Sequence, residues 1–297
     1  MSSADAIAAP DTAAGTASWD VEPKRYRGAL LRQYRGELRL LLTRRRNAIL
    51  LGVLAVVPIF IGVAVKISNP QGGDGPQFIG RVTGNGLFLV FTALTVAIPF
   101  FLPLVIGVVA GSSIAGEAGQ GTLRYLLTIP VSRGRLLTVK TMAVATFTAV
   151  AVLVVAVAGL VTGAILFGVH SLVLLSGDTV GIGDALLRTL GVVVYVSIAL
   201  FGLAAGGVLV STLTENAIAA MAATVSIAVF SALLDAVPQL SAIHPALLTH
   251  NWLGFGELLR TSVGNADLLR WSGIHLVYAA IFLSLAWSRI TTKDVTS

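Results

Sequence analysis

The sequence predicts an all-α, polytopic membrane protein with six transmembrane helices, and two observations carry this prediction. First, the 297 residues are 56% hydrophobic and only 11% charged, whereas a soluble chain is about 25% charged. With a mean hydropathy of +0.89, the chain has too little polar surface to cover a water-facing globule. Second, several stretches without Asp, Glu, Lys or Arg reach the roughly 20 residues that a helix needs to cross a membrane.

The chain is predicted to start with a disordered tail and a surface helix. Residues 1–23 have no apolar core and are rich in small and polar residues, so we expect a disordered cytosolic tail rather than a signal peptide. Residues 24–46 show an amphipathic helical pattern and are predicted to lie in the membrane surface. The apolar arc comprises Tyr26, Leu30, Tyr34, Leu38, Leu41 and Leu42, and the basic side comprises Arg25, Arg32, Arg35 and Arg39. Two interpretations of this interfacial helix stay open. It serves only as a topology anchor, or it also contacts a cytosolic partner.

Residues 47–297 are predicted to form one transmembrane domain. A charged residue at the centre of a span costs on the order of 2.5–3.5 kcal/mol, so uncharged stretches mark the spans. They are residues 47–65, 88–110 (the most apolar part of 82–115), 141–169, 189–214, 216–234 and 271–288. Prolines 58, 99 and 103 lie inside the first two spans and are expected to kink or soften them. The absence of Asp, Glu, Lys and Arg from the spans argues against a proton- or ion-coupled carrier.

The distribution of basic residues predicts the orientation. With both termini in the cytosol, nine Lys and Arg residues precede the first span, four lie between the second and third spans, and two follow the sixth. Only five lie outside, as expected when basic residues face the cytosol. The net charge of +6 suits an anionic inner leaflet, so membrane lipid is an expected partner and nucleic acid is not. We expect a multi-pass protein of the cell membrane.

The connector between the second and third spans, residues 116–138, concentrates polar residues between two uncharged stretches. Thr122 is positioned to cap a short helix over residues 123–129, which Pro130 ends. Ser132 is then predicted to cap the third helix, which starts at Arg133. A short amphipathic helix held between two spans can transmit a push from a cytosolic body to both.

This connector resembles the signature connector of type-2 ABC exporter permeases. The matching letters are Glu117, Gly121-Thr122-Leu123, Leu126-Leu127, Pro130-Val131-Ser132-Arg133 and Lys140. The resemblance implies six spans, cytosolic termini and a separate ATPase subunit that docks on the connector. It places ATP and Mg²⁺ on that ATPase and no cofactor on this chain. It also implies a second permease copy or a homologous permease. Relatives often have Glu directly after Gly-Thr-Leu, where this chain has Arg124, so the charge pairing with the ATPase is expected to differ.

The function implied by the resemblance is that of a non-enzymatic permease subunit of an ATP-driven exporter, a bacterial efflux system with its substrate pathway in the spans. The residues expected to bind the ATPase are Glu117, Gly121, Thr122, Leu123, Arg124, Leu126, Leu127, Pro130, Ser132 and Arg133. No substrate-binding residue is predicted, although an apolar interior favours an amphipathic or lipid-like cargo. The alternative is a membrane scaffold or assembly subunit that uses the same connector to hold a cytosolic partner.

Two patterns that look like enzyme motifs fail on inspection. Residues 111–116 have the glycine spacing of a phosphate-binding loop, but Glu117 and Ala118 follow where Lys and Ser or Thr are needed. We therefore expect no ATP hydrolysis on this chain. Gly-Ile-Gly-Asp at 181–184 matches intramembrane aspartyl proteases, which need two facing carboxylates. Asp235 is the only plausible partner for the aspartate of this motif, and a glycine turn with a helix-capping Asp is the preferred interpretation.

Residues 236–270 are predicted to form an outer segment of short re-entrant or interfacial helices, because their apolar runs are too short to cross. His244 and His250 are six residues apart, which is not the spacing of metal ligands on a helix. The chain contains no cysteine, so a thiolate metal site is also excluded. We expect no metal site.

The six-span topology is tested by a reporter that is active only outside the cell. Fused after Ser297, the reporter should stay silent, because an even number of spans returns the chain to the cytosol. The same reporter inserted in the outer segment 236–270 should be active. Activity of the carboxy-terminal fusion would mean an odd number of spans and would overturn the assignment of every loop.

Overall fold

The computed structural model describes residues 28–68, 85–119, 133–169, 171–174, 176–262 and 264–292. Within these residues the fold is almost entirely α-helical, and six helices are long and apolar enough to cross a membrane, which confirms the predicted fold class. The helices are α1 (Ala29–Thr43), α2 (Arg45–Ser68), α3 (Phe88–Val96), α4 (Leu102–Gly119), α5 (Arg133–Phe167), α6 (Ile182–Leu213), α7 (Ala217–Asp235) and α8 (Asn265–Thr292). The second span consists of α3, a π-helical turn and α4, and α2, α5, α6, α7 and α8 are the other five spans.

Several helices extend well beyond the uncharged stretches that predicted them. The fourth span starts at Ile182 rather than at residue 189, and the sixth starts at Asn265 rather than at 271. Asp184 and Asp267 lie in the first turns of these two helices, where a negative charge is favoured by the helix dipole. Residues 265–270 therefore belong to the sixth span rather than to the outer segment. The third helix starts at Arg133, as predicted.

A one-residue elbow separates α1 from the first span, so the predicted helix over 24–46 is wrong at its carboxyl end. Arg44 is extended, with φ −64° and ψ 121°, and its carbonyl accepts hydrogen bonds from the backbone N–H groups of Asn47 and Ala48. The Asn47 side chain is fully buried and donates to the Leu41 carbonyl at 2.9 Å. This side-chain bond holds the last turn of α1 against the first turn of α2.

The amphipathic pattern of α1 is used to pack the helix against the third span. Tyr34, Leu38, Leu41 and Leu42 of the predicted apolar arc are half-buried, and Arg32, Arg35 and Arg39 are exposed. The Tyr34 hydroxyl lies 2.7 Å from Oγ1 of Thr146 on the third span. Tyr26 and Arg25 lie outside the described residues.

A π-helical turn, Ala97–Phe101, interrupts the second span. It contains Pro99 and is followed closely by Pro103, and neither proline has an N–H to continue the α-helical ladder. The regular α-helix of the second span is therefore interrupted at its prolines. By contrast, the first span continues as α-helix through Pro58.

The second and fourth spans form the centre of the bundle, with 67% and 72% of their most apolar windows buried, against 11% for the sixth span. Small residues bring the backbones close. A Cβ atom added at Gly111 would lie 2.8 Å from the backbone of Ala220 on the fifth span. One added at Gly207 of the fourth span would lie 2.6 Å from Cβ of Ala110. Such contacts are the usual way in which helices associate in lipid.

The bundle has two ends, which we call the connector end, where Gly119 and Arg133 lie, and the opposite end. A short hairpin, β1 (Leu172–Val173) and β2 (Thr179–Val180), lies at the opposite end. The outer segment forms turns and three 3₁₀ stretches, Pro238–Leu240, His244–Ala246 and Gly254–Leu259. Within the described residues 236–262 no α-helix occurs, so the predicted short helices are 3₁₀ stretches of one or two turns. Tyr195 and Arg188 of the fourth span donate to backbone carbonyls of this segment.

The close approach at Gly111 gives a stability prediction. Gly111→Ala places a Cβ against rigid backbone, an overpacking that costs about 1–3 kcal/mol, while alanine in place of glycine gains about 1 kcal/mol of helix propensity. Because the atoms at 2.8 Å belong to the backbone and cannot move aside, the cost lies in the upper part of that range, and we expect a net loss of about 1–2 kcal/mol, measured by detergent-induced unfolding. Gly52→Ala is the matched control, because a Cβ there meets open space, and it should not destabilise the protein. Equal stability of the two variants would contradict the glycine packing.

Candidate functional site

The structure describes the two ends of the predicted coupling connector. Of the ten residues expected to bind the ATPase, Glu117 and Arg133 lie in described helices. The other eight lie outside the described residues and stay predictions: Gly121, Thr122, Leu123, Arg124, Leu126, Leu127, Pro130 and Ser132. The candidate site therefore consists of the described residues that fix each end of the connector to the neighbouring helices.

A buried lysine joins three helices at the connector end. Nζ of Lys140, on the third span, donates to Oε1 of Glu117 at 2.6 Å, and Glu117 lies in the last turn of the second span. The same ammonium donates to Oε1 of Glu37 on α1 at 2.9 Å. We call Lys140, Glu117 and Glu37 the lysine bridge. It fixes the end of the second span, the start of the third span and the interfacial helix at one level.

Burial makes the lysine bridge costly to break. The Lys140 side chain is 1% exposed, and the side chains of Glu37 and Glu117 are 23% and 29% exposed. Removing an ammonium from water costs several kcal/mol, and close carboxylates with good hydrogen bonds offset that cost. Since two carboxylates share one ammonium, loss of the lysine would leave two like charges facing each other. The bridge is thus held together by its central residue.

The start of the third span is also fixed against the sixth span. Gly134 lies so close to Trp287 that an added Cβ would be 2.2 Å from the indole ring. The guanidinium of Arg133 donates to the Ile290 carbonyl at 3.3 Å. Arg133 was predicted to contact a partner subunit, and in the described chain one of its contacts is with the sixth span.

The end of the second span is fixed against the turn that joins the fourth and fifth spans. A Cβ at Gly119 would lie 2.7 Å from the Glu215 carbonyl oxygen. One turn earlier, Oγ of Ser211 accepts hydrogen bonds from the backbone N–H groups of Ile114 and Ala115, at 2.9 and 2.8 Å. The two ends of the connector are therefore attached to different neighbours and are joined to each other by Lys140.

Glu37 is the member of the site that the sequence analysis missed. It lies 103 residues from Lys140, and no local pattern connects the two. One signal was available, because Glu37 is the single acidic residue in the otherwise basic stretch 25–46. A carboxylate on the apolar side of a basic helix predicts a buried cationic partner.

The two enzyme-like motifs do not form active sites. Residues 111–116 are α-helical within the second span, so their N–H groups cannot cradle a phosphate as a loop does. Asp184 is exposed and makes no capping hydrogen bond, so the predicted helix cap is wrong. Oδ1 of Asp235 lies 2.7 Å from Nδ1 of His250, and no contact between Asp184 and Asp235 occurs in the described chain.

Histidines at the opposite end come together in a way that sequence spacing did not predict. His250 and His244 both face Asp235, with Nδ1 to Oδ1 distances of 2.7 and 3.9 Å. No group of three or more potential ligands placed to hold a metal occurs among the described residues. His275 lies inside the sixth span and is 1% exposed, a buried polar residue that a search for Asp, Glu, Lys and Arg does not find.

The lysine bridge gives a second stability prediction. Lys140→Met should lower the free energy of unfolding by about 2–3 kcal/mol, somewhat less than for a fully buried ion pair because the side chains of both glutamates are partly exposed. Detergent-induced unfolding followed by circular dichroism measures the change. Lys66→Met is the matched control, because Lys66 is exposed, and it should cost less than about 1 kcal/mol.

A further change separates the repulsion between the two carboxylates from the loss of the bonds that the Lys140 ammonium makes. Adding Glu37→Gln and Glu117→Gln to Lys140→Met removes the two facing carboxylates and should restore most of the lost stability. If stability stays low in the triple variant, the loss comes from the missing bonds of the Lys140 ammonium and not from the two unpaired carboxylates.

Comparison with known proteins agrees with this architecture. The family described as ABC-2 family transporter protein matches residues 41–231, from the end of α1 through most of the fifth span, and the connector and the Glu117–Lys140 pair lie inside the match. The search of curated proteins found no match to the chain. Because the family match covers more than half of the chain, this multi-pass membrane protein belongs to the ABC-2 transporter family, whose members are the membrane components of ABC transporters.

Proposed function

We propose that the chain is the permease subunit of an ATP-driven exporter of the bacterial cell membrane, and that a separate ATPase subunit drives it through the connector between the second and third spans. Family membership supports the permease role. The observation that carries the coupling is the lysine bridge, in which Lys140 bonds Glu117 across the connector. ATP and Mg²⁺ belong to the ATPase in this proposal.

The lysine bridge supports a mechanism in which the connector moves both flanking helices together. Glu117 and Lys140 lie on the two sides of residues 120–132 and are joined by a 2.6 Å contact, so a push on the connector displaces the two spans as a pair. Glu37 adds α1 to this unit. The contacts of Gly119 with Glu215 and of Arg133 with Ile290 then pass the displacement to the fourth, fifth and sixth spans.

The binding energy for the ATPase is expected to come from leucines rather than from charges. Leu126 and Leu127 are proposed to fill an apolar pocket on the ATPase, and burying one such side chain is worth roughly 1.5–3 kcal/mol. Arg124 and Arg133 are proposed to lie at the rim, where exposed ion pairs contribute little. Glu117 is proposed to act through its ion pair with Lys140 rather than by direct contact with the ATPase.

The substrate pathway is proposed to form between this chain and a second permease, either another copy or a homologous chain. The described spans contain no Asp or Glu in their apolar middle portions, and the second span is buried and uncharged from Phe88 to Leu94. Such an interior supports an amphipathic or lipid-like cargo, because a strongly charged cargo would need polar partners along its path.

The coupling proposal is tested by charge substitution in the connector. Leu126→Asp and Leu127→Asp should each abolish or strongly reduce both co-purification of the ATPase and ATP-dependent cargo movement, because each buries a carboxylate in an apolar pocket. Membrane abundance should be unchanged, since both residues are expected to lie outside the hydrocarbon layer. Leu213→Asp is the matched control. Leu213 is a leucine that is 56% exposed, and it lies at the turn between the fourth and fifth spans, on the same side of the membrane as the connector.

The same measurements distinguish an exporter from a scaffold. An exporter loses cargo movement in proportion to ATPase attachment in the two connector variants. If attachment is lost but no ATP-dependent cargo movement exists in the unaltered protein, the chain is a membrane scaffold that holds a cytosolic partner. Wild-type attachment and transport in both variants would show that the connector is only a topological loop.

A further inference from the structure

Two cavities meet at the elbow between α1 and the first span. One, of about 360 Å³, lies between α1 and the second span. The other, of about 540 Å³, lies between the second span and the start of the fifth span. Both are lined by Arg44, Arg46, Ser112 and Gly116. We call these two cavities together the elbow cleft.

The elbow cleft presents guanidinium groups that the protein does not fully use. Arg44 is exposed, and its side chain has no hydrogen-bond or ion-pair partner among the described residues. Arg46 donates from Nη2 to Oγ of Ser112 at 2.8 Å and from Nε to Oδ1 of Asn47 at 3.4 Å. Since a guanidinium has five N–H donors, most of the donors of this arginine pair remain open to the cleft. The buried Asn47 fixes the backbone of the elbow, so the two arginines start from neighbouring, fixed positions.

Acidic residues also line the elbow cleft, and their positions decide where an anion binds. Glu37 and Glu117 line the α1 side but are bound to Lys140 through Oε1. Glu215 lines the fifth-span side and already interacts within the structure. An anion is therefore attracted to the part that the two cavities share, next to Arg44 and Arg46. The positive end of the fifth-span helix, which starts at Ala217, adds to that attraction.

Apolar side chains border the arginine pair on both sides. Leu40 of α1, which lines the first cavity, is 68% exposed, and Ile218 of the fifth span, which lines the second, is 76% exposed. A small soluble anion would leave both in contact with water, whereas a lipid would cover them. The cleft also lies at the ends of the first, second and fifth spans that are predicted to be cytosolic, the depth of the inner-leaflet headgroups. Basic pockets between spans on that side are suited to anionic lipids.

We propose that the elbow cleft binds the headgroup phosphate of an anionic glycerophospholipid from the inner leaflet. Arg44 and Arg46 bind the phosphate oxygens, for which planar guanidinium groups are well matched, and the acyl chains lie along Leu40 and Ile218. The bound lipid would connect the interfacial helix to the second and fifth spans. The proposal goes beyond transport and does not rest on the ATPase or the cargo.

The test is lipid binding to the purified full-length chain, measured by native mass spectrometry in detergent with phosphatidylglycerol and with phosphatidylcholine of the same acyl chains. We expect tighter binding of phosphatidylglycerol. Arg44→Gln should weaken that binding by about fivefold, the effect of one arginine near an anionic lipid. Arg45→Gln is the matched control, because Arg45 carries the same charge one residue away and does not line either cavity. It should change the affinity by less than about twofold.

A second variant tests the cleft by shape rather than by charge. Gly116→Leu should also weaken binding of phosphatidylglycerol, because Gly116 lines both cavities and a larger side chain there occupies the part that they share. A Cβ at Gly116 meets only Ser112 Cβ, at 3.8 Å, so the helix backbone accepts a side chain at this position. Equal effects of Arg44→Gln and Arg45→Gln, or equal affinity for the two lipids, would overturn the proposal. If inorganic phosphate at tenfold excess displaces phosphatidylglycerol, the cleft binds free phosphate and the lipid proposal is wrong. Both variants should keep the wild-type unfolding midpoint in lipid-free detergent.

Discussion

The arrangement of the connector end depends on one ammonium group that is hidden from water. An amine with 1% side-chain exposure needs anionic partners within hydrogen-bond distance, and Lys140 finds them on two other helices. That requirement sets the level of the second span relative to the third and the position of α1 against both. The elbow at Arg44 and the buried amide of Asn47 follow from it, because α1 has to turn back along the third span to deliver Glu37.

The middle of the bundle is organised by small residues rather than by charge. Lipid is as apolar as a leucine side chain, so helices in a membrane gain little from burying apolar surface against each other and associate through close packing. Gly107, Gly111 and Gly207 allow the second, fourth and fifth spans to approach at backbone distance. The structure thus combines a tightly packed centre with the lysine bridge at the connector end. The lysine bridge joins the two helices that flank the connector, and the glycine contacts pack these helices against the rest of the bundle.

Much of the fold could be predicted because the relevant signals are local. Uncharged length predicts a span wherever it occurs, and all six spans were found. The fourth and sixth helices start several residues before the predicted spans, because polar residues continue a helix beyond the hydrocarbon layer. The elbow was missed because Arg44 looks like any other basic residue of the helical pattern. Glu37 and Lys140, or His244 and Asp235, are brought together by the path of the chain in space, and no periodicity in one sequence encodes such a contact. The glycine signal at 111–116 was interpreted correctly as helix packing, since the residues required for phosphate binding were absent.

The π-helical turn in the second span has a consequence for how relatives of this chain should be aligned. A π turn accommodates one residue more than an α-helix of the same length, and each residue of an α-helix rotates the chain by about 100°. The extra residue between Ala97 and Phe101 therefore sets the rotational phase of α4 relative to α3. A homologous sequence one residue shorter at this place would form a continuous α-helix. Its counterparts of Gly107 and Gly111 would point about 100° away from the fifth span. A single-residue gap at this position in an alignment therefore means that α4 presents a different face to the fifth span. Glycines of the shorter homologue that align with Gly107 and Gly111 would then not make the same helix contacts.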